Sequence, residues 1–113
     1  MKLRTLTDRL EITDLLTAYA AAVDGRDWER YRSIFTPDAV IDYSSAGGAV
    51  GTPDEMADYL EQVLAQFRAT QHLIGNLEVD IDGDTARTRA MFHNPMRMAD
   101  GSVWFTGGAN PPT

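Results

Sequence analysis

Between residues 8 and 23 the apolar side chains Ile12, Leu15, Leu16, Tyr19 and Val23 recur at three- and four-residue steps. That spacing lays one apolar stripe along a helix that faces a core. Gly25 interrupts it, and Asp27 opens a second short helix on which Trp28, Tyr31, Ile34 and Phe35 share a side before Pro37 forbids continuation. Residues 39–43 read as a short β run, Gly47-Gly48 as a turn, and Val50 as the return, so this stretch predicts a small hairpin. Thr52-Pro53-Asp54-Glu55 is a helix start: a hydroxyl cap, a proline in the first turn, and a glutamate able to reach back to the cap amide. The predicted third helix buries Met56, Leu60, Val63, Leu64 and Phe67 and wets Asp58, Glu61 and Gln62.

After Arg68 the period changes to two. Leu73, Leu77, Val79 and Ile81 fall on one side of a long strand, and His72, Ile74, Asn76, Glu78 and Asp80 on the other. Asp82-Gly83 reverses the chain into a second strand over 85–98, where Ala86, Ala90 and Phe92 alternate with Arg87, Arg89 and His93. A turn at Asp100-Gly101 leads into a third strand over 102–106, and the residues from Gly107 onward carry no strand or helix pattern. Helices followed by an antiparallel meander give an α+β fold, with helices one and three expected to lie on one curved sheet.

A chain of 113 residues with 43% apolar composition supports one core, so a single domain over 1–108 with an irregular tail at 109–113 is expected. Seventeen acidic against ten basic residues leave a formal charge of −7, which argues against nucleic acid and anionic membranes as partners. The absence of cysteine removes disulfides, thiolate metal ligands and a thiol nucleophile, and fits a cytoplasmic protein. The N-terminal run becomes charged before any signal-length apolar stretch, and nothing is long enough to span a bilayer. The glycines form no phosphate-binding pattern, and Asp80, Asp82 and Asp84 lack the spacing and glutamate of a calcium loop. No cofactor and no metal are expected.

Few side chains remain that could do chemistry in the mouth of a bent sheet. His72 is the natural general base at neutral pH, although a strand histidine more often serves packing. Asp24 ends the first helix, where the carbonyl end of the dipole disfavours an anion. It serves either the Asp24-Gly25 turn or as the orienting partner of His72. Tyr43 closes the first β run and could present a phenol to a ligand, or pack in the core. His93, among Arg87, Arg89 and Met91, lies on a face suited to solvent or another subunit.

The runs Val23-Asp24-Gly25-Arg26-Asp27-Trp28-Glu29-Arg30, Ile41-Asp42-Tyr43-Ser44 and Thr70-Gln71-His72-Leu73-Ile74-Gly75 resemble scytalone dehydratase and the wider SnoaL-like, nuclear transport factor 2-like superfamily. The resemblance implies a cone of curved antiparallel sheet packed with three N-terminal helices, a cystatin-like α+β barrel. It matches Asp24 and His72 to a catalytic pair and Tyr43 to a pocket tyrosine. By the same comparison Val23 stands where a second tyrosine is expected and Met96 where a further histidine is. Members continue the third strand and add another, so the C-terminal strands here are expected to be incomplete. The implied activity is a cofactor-independent lyase or isomerase, dehydratase-like, acting on a small cyclic hydrophobic molecule. The alternative is a non-catalytic binding module or structural subunit of the same fold. A homo-oligomer, dimer or trimer, is the implied assembly.

Overall fold

The computed structural model describes residues 3–44, 47–98 and 102–109. Three helices precede the main sheet: α1 (Leu3–Asp24), α2 (Trp28–Ile34) and α3 (Pro53–Leu64). Between α2 and α3, strands β1 (Ile41–Asp42) and β2 (Val50–Gly51) pair antiparallel as the expected small hairpin. The main sheet holds β3 (Phe67–Thr70), β4 (Leu73–Asp82), β5 (Thr85–Met98) and β6 (Val103–Ala109). Met96 pairs with both Thr70 and Trp104, and His93 with both Leu73 and Gly107. Strands β3 and β4 therefore follow one another along one edge of β5, and β6 runs along the other. The architecture is α+β, the cone arrangement, and among the described residues the sheet does not close into a barrel.

The local devices read from sequence are in place. Asp27 caps α2 by accepting from the Arg30 amide, and Thr52 and Glu55 form the reciprocal capping box of α3 with Pro53 in its first turn. The core lies where the helices and the small hairpin meet: Ala22, Val23, Tyr31, Ile41, Met56, Ala57 and Leu64 are buried together, with Tyr19, Trp28, Phe35 and Phe67 packed around them. Tyr31 is fully enclosed, its ring 5.1 Å from that of Phe35 and 5.9 Å from that of Trp28.

Four expectations change. Helix α3 stops at Leu64, so Phe67 reaches the core from the start of β3 and not from a helical stripe. Helix α3 packs chiefly against α2 and β2, while α1 is the helix that lies along β4, where Arg9 Nη1 donates to the Val79 carbonyl at 3.3 Å. Strand β6 runs on through Gly107 and Gly108 to Ala109, because both glycines pair with β5 where no side-chain pattern was needed to keep them there. The turn expected at Asp100-Gly101 and the tail from Asn110 lie outside the described residues.

The fourth change decides which way side chains point. From Gly75 to Glu78 is three steps on β4, yet their partners Met91 and Arg89 are two steps apart on β5, so β4 carries one extra residue there. Asn76 absorbs it at φ 46°, in the left-handed region that asparagine enters at low cost. Beyond the bulge the parity inverts. His72 and Ile74 share a face with Leu77, Val79 and Ile81, and the exposed Leu73 falls on the opposite face with Glu78 and Asp80. Strict alternation had placed Leu73 with the apolar set.

Replacing Asn76 with valine should cost about 1–2 kcal/mol because a β-branched residue resists positive φ, whereas Asn76→Gly should be neutral or slightly stabilising. Urea unfolding midpoints of the two variants check this; equal midpoints would mean that the bulge does not constrain the residue.

Candidate active site

The site is built where the end of α1 meets the break between β3 and β4. Pro95 on β5 has no N–H to offer the ladder, and opposite it the edge strand is interrupted. The Gln71 amide fills the gap by donating to the Pro95 carbonyl and to Asn94 Oδ1, each at 3.1 Å. The next amide, that of His72, leaves the ladder and donates to Asp24 Oδ2 at 2.6 Å.

Asp24 and His72, 48 residues apart in sequence, thus meet twice. His72 Nδ1 lies 2.6 Å from Asp24 Oδ1, and both side chains are largely covered, at 15% and 23% exposure. Thr70 Oγ1 donates to the same Oδ1 at 2.9 Å. The carboxylate therefore accepts from a backbone amide at one oxygen and from a hydroxyl and a ring nitrogen at the other. Such coverage explains how an anion is tolerated at a helix C-terminus that has no basic residue in its last turn. The His72 ring stacks on Phe92, with centroids 6.5 Å apart and planes 24° from parallel. That contact, with the Nδ1 bond, limits rotation of the ring and leaves Nε2 as the nitrogen without a part in the Asp24 contact.

Tyr43 does not join the histidine contact. Its hydroxyl lies 2.8 Å from that of Tyr19 and 2.8 Å from that of Tyr31, so three phenols from α1, α2 and the β1 end form a row centred on Tyr43. Burial pushes Tyr43 well above the ordinary phenol range, and its two neighbours push the same way. Burial raises Tyr31 to about 12, against the lowering effect of its bond to Tyr43. Tyr19 is also raised, first by burial; its Tyr43 bond works against this and the nearby Asp24 carboxylate adds to it. The field of Asp24 on Tyr19 brings the phenol row and the Asp24-His72 pair into one neighbourhood.

Tyr19 and Tyr31 sat on the apolar stripes of their helices, where tyrosine reads as core; their hydroxyl contacts depend on tertiary placement and left no signal in spacing. Arg26 and Thr70 were equally silent, although they lie inside the quoted runs. Arg26 Nη1 donates to the Val23 carbonyl at 2.7 Å and to Thr70 Oγ1 at 2.9 Å. Val23 and Met96, which resemblance places at pocket positions, are buried. His93 lies on the exposed opposite face.

The phenol row sets an alkaline limit on stability. Below pH 10 the native and unfolded chains both keep these protons, so the raised values add no pH dependence. As pH climbs from the ordinary value of 10.0 through about 12, the unfolded chain releases protons that native Tyr31 retains, and stability falls. Unfolding midpoints should decline across that window, and Tyr31→Phe should flatten the decline; a wild-type midpoint constant to pH 12 contradicts the assignment.

The SnoaL-like domain pattern matches residues 4–110. Uncharacterised proteins of Mycobacterium bovis and Mycobacterium tuberculosis are 44% identical over 94 residues, covering 83% of this chain and 64% of theirs, so the chain spans just under two thirds of those relatives. Among solved structures, a candidate aromatic ring hydroxylase of Novosphingobium aromaticivorans is 33% identical with a TM-score of 0.85, over 92% of this chain and 75% of that one. A candidate scytalone dehydratase of the same organism, 22% identical, superposes with a TM-score of 0.82 over 93% of this chain and 71% of that one. LinA, 22% identical, gives 0.76 over 98% and 91%. The last two are likenesses of fold alone. On the domain match and the shared cone architecture, this chain belongs to the SnoaL-like domain family.

Proposed function

We propose that the chain is a cofactor-independent lyase or isomerase in which His72 removes a proton from carbon next to a carbonyl of a small cyclic hydrophobic substrate. The observation that carries this reading is the 2.6 Å contact between His72 Nδ1 and Asp24 Oδ1 in a largely covered setting. An ionised carboxylate only accepts, so Nδ1 must carry the hydrogen and Nε2 presents a lone pair. The C–H proton passes to Nε2, the C–H electrons move into an enolate, and the imidazolium so formed is stabilised by Asp24. From the enolate, loss of a β leaving group completes an elimination, and return of the proton at another carbon completes an isomerisation. The name of the dehydratase structure agrees with chemistry of this kind in a protein of the same fold.

Tyr43 is the group assigned to the developing oxyanion. Three phenols hold three hydroxyl hydrogens and make two mutual contacts, so one hydrogen remains for an acceptor outside the row. When Tyr19 and Tyr31 both donate inward, that spare hydrogen belongs to Tyr43, and its bond to a substrate oxygen strengthens as negative charge builds there. A phenol's ordinary value of 10.0 already holds the row protonated at neutral pH, as a donor requires, and the shifts of all three are upward.

A non-catalytic binding role has one feature in its favour: the buried Val23 and Met96 supply no second phenol or histidine to the site. The two readings separate in deuterium exchange. Cyclic ketones with acidic α-hydrogens, incubated with the protein in heavy water and read by mass spectrometry, should gain deuterium. The rate should fall roughly 100- to 10,000-fold in His72→Ala, the range of a lost general base. Saturable binding of the ketone with no exchange above buffer would leave the binding module as the function.

A further inference from the structure

Arg26 is a strained residue with a specific employment. Its φ of 56° lies in the left-handed region, where a non-glycine side chain is uncommon, and the turn Asp24-Gly25-Arg26 holds it there. Its side chain is half-buried; burial works against its charge and the neighbouring Asp24 carboxylate supports it. Strain and partial burial of a cation are unfavourable together, and one bond of this guanidinium leads directly toward His72.

The hydrogen-bond directions along that route are forced. Arginine only donates, so Thr70 Oγ1 must accept from Arg26 Nη1. The single hydroxyl hydrogen of Thr70 then has one other partner, Asp24 Oδ1, at 2.9 Å. The carboxylate has no hydrogen of its own, so the ring nitrogen 2.6 Å from the same oxygen must donate. The backbone amide of His72 fills the second carboxylate oxygen and prevents the group from rotating to offer a different face. Each link sets the polarity of the next, and the chain starts at a group that cannot reverse its role.

We propose that Thr70 and Arg26 are positioning residues for His72: the guanidinium fixes the direction of the threonine hydroxyl, the hydroxyl fixes Asp24, and Asp24 fixes the ring in its Nδ1–H form. The inference rests on the proposed catalytic role of His72 for its purpose, though not for its test. Without the hydroxyl, Asp24 Oδ1 loses one of two donors and the carboxylate gains freedom to turn. Without the guanidinium, the hydroxyl can rotate to accept from another group, and its hydrogen leaves Asp24.

The test is the tautomer of His72, read from its ring ¹⁵N shifts at a pH where the ring is neutral. The chain has two histidines, and the signals of His72 are assigned by their loss in His72→Gln. Wild type should be mostly Nδ1–H. Thr70→Val should raise the ratio of Nε2–H to Nδ1–H about fivefold, the equilibrium worth of one ordinary hydrogen bond, and Thr70→Ser should restore the wild-type ratio. Arg26→Gly, which also relieves the left-handed backbone, should shift the ratio the same way and serves as the readout if Thr70→Val does not fold. A wild-type ratio in either folded variant overturns the proposal. Deuterium exchange by wild type is measured beside it: an unresponsive ratio with active exchange sinks the positioning role alone, and a responsive ratio with no exchange sinks the catalytic reading alone.

Discussion

The carboxylate of Asp24 joins the two halves of the molecule. It terminates α1, and its partners Thr70 and His72 lie 46 and 48 residues further on, at the break between β3 and β4. Helix dipoles make that terminus a poor place for negative charge, so the anion depends on the donors brought to it from the sheet. The sheet in turn frees those donors because Pro95 cannot complete the ladder opposite them. Placement of the helix hairpin over the sheet and placement of the imidazole beside it are thus the same event. A change that loosens one loosens the other, and a partly buried carboxylate stripped of its donors carries a desolvation cost that water only partly repays.

The phenol row ties a second set of elements. Tyr19, Tyr31 and Tyr43 belong to α1, α2 and the end of β1, and their hydroxyls meet above a core in which the Tyr31 ring is fully enclosed. Polar atoms in such a place must be paired, and three phenols pairing with one another achieve this without importing charge. The arrangement keeps neutral phenols near enough to Asp24 for the carboxylate's charge to be felt at Tyr19.

Much of this architecture is written in local pattern. Helical and strand periods, the Asp27 cap and the Thr52-Glu55 capping box act within a few residues, and the sequence reading placed α2, the start of α3 and β5 with little displacement. The pairing of Asp24 with His72 came from resemblance across separated runs, since neither residue's own neighbourhood names its partner. What stayed hidden shares one property: it depends on residues distant in sequence. Arg26 and Thr70 meet across 44 positions, the Tyr19 and Tyr31 hydroxyls find a partner only after α1, α2 and the hairpin converge, and the edge break at Gln71 answers a proline on another strand. Asn76 is a subtler case. The alternation falters just before it, with Ile74 on the polar side and Gly75 on the apolar side, but counting by twos passed over both, carried the wrong parity through the bulge and misassigned Leu73.

That extra residue at Asn76 also bears on how relatives of this chain are to be compared. Two sequences aligned without a gap through 75–78, one with the bulge and one lacking it, match letter to letter while their side chains point in opposite directions on one side of the mismatch. Identity then counts agreements between a residue that lines the interior of one protein and a residue that meets solvent in the other. The correct equivalence carries a single-residue gap, placed at the left-handed asparagine, and only with that gap does the histidine two positions before Ile74 stay in phase with the apolar residues that follow it.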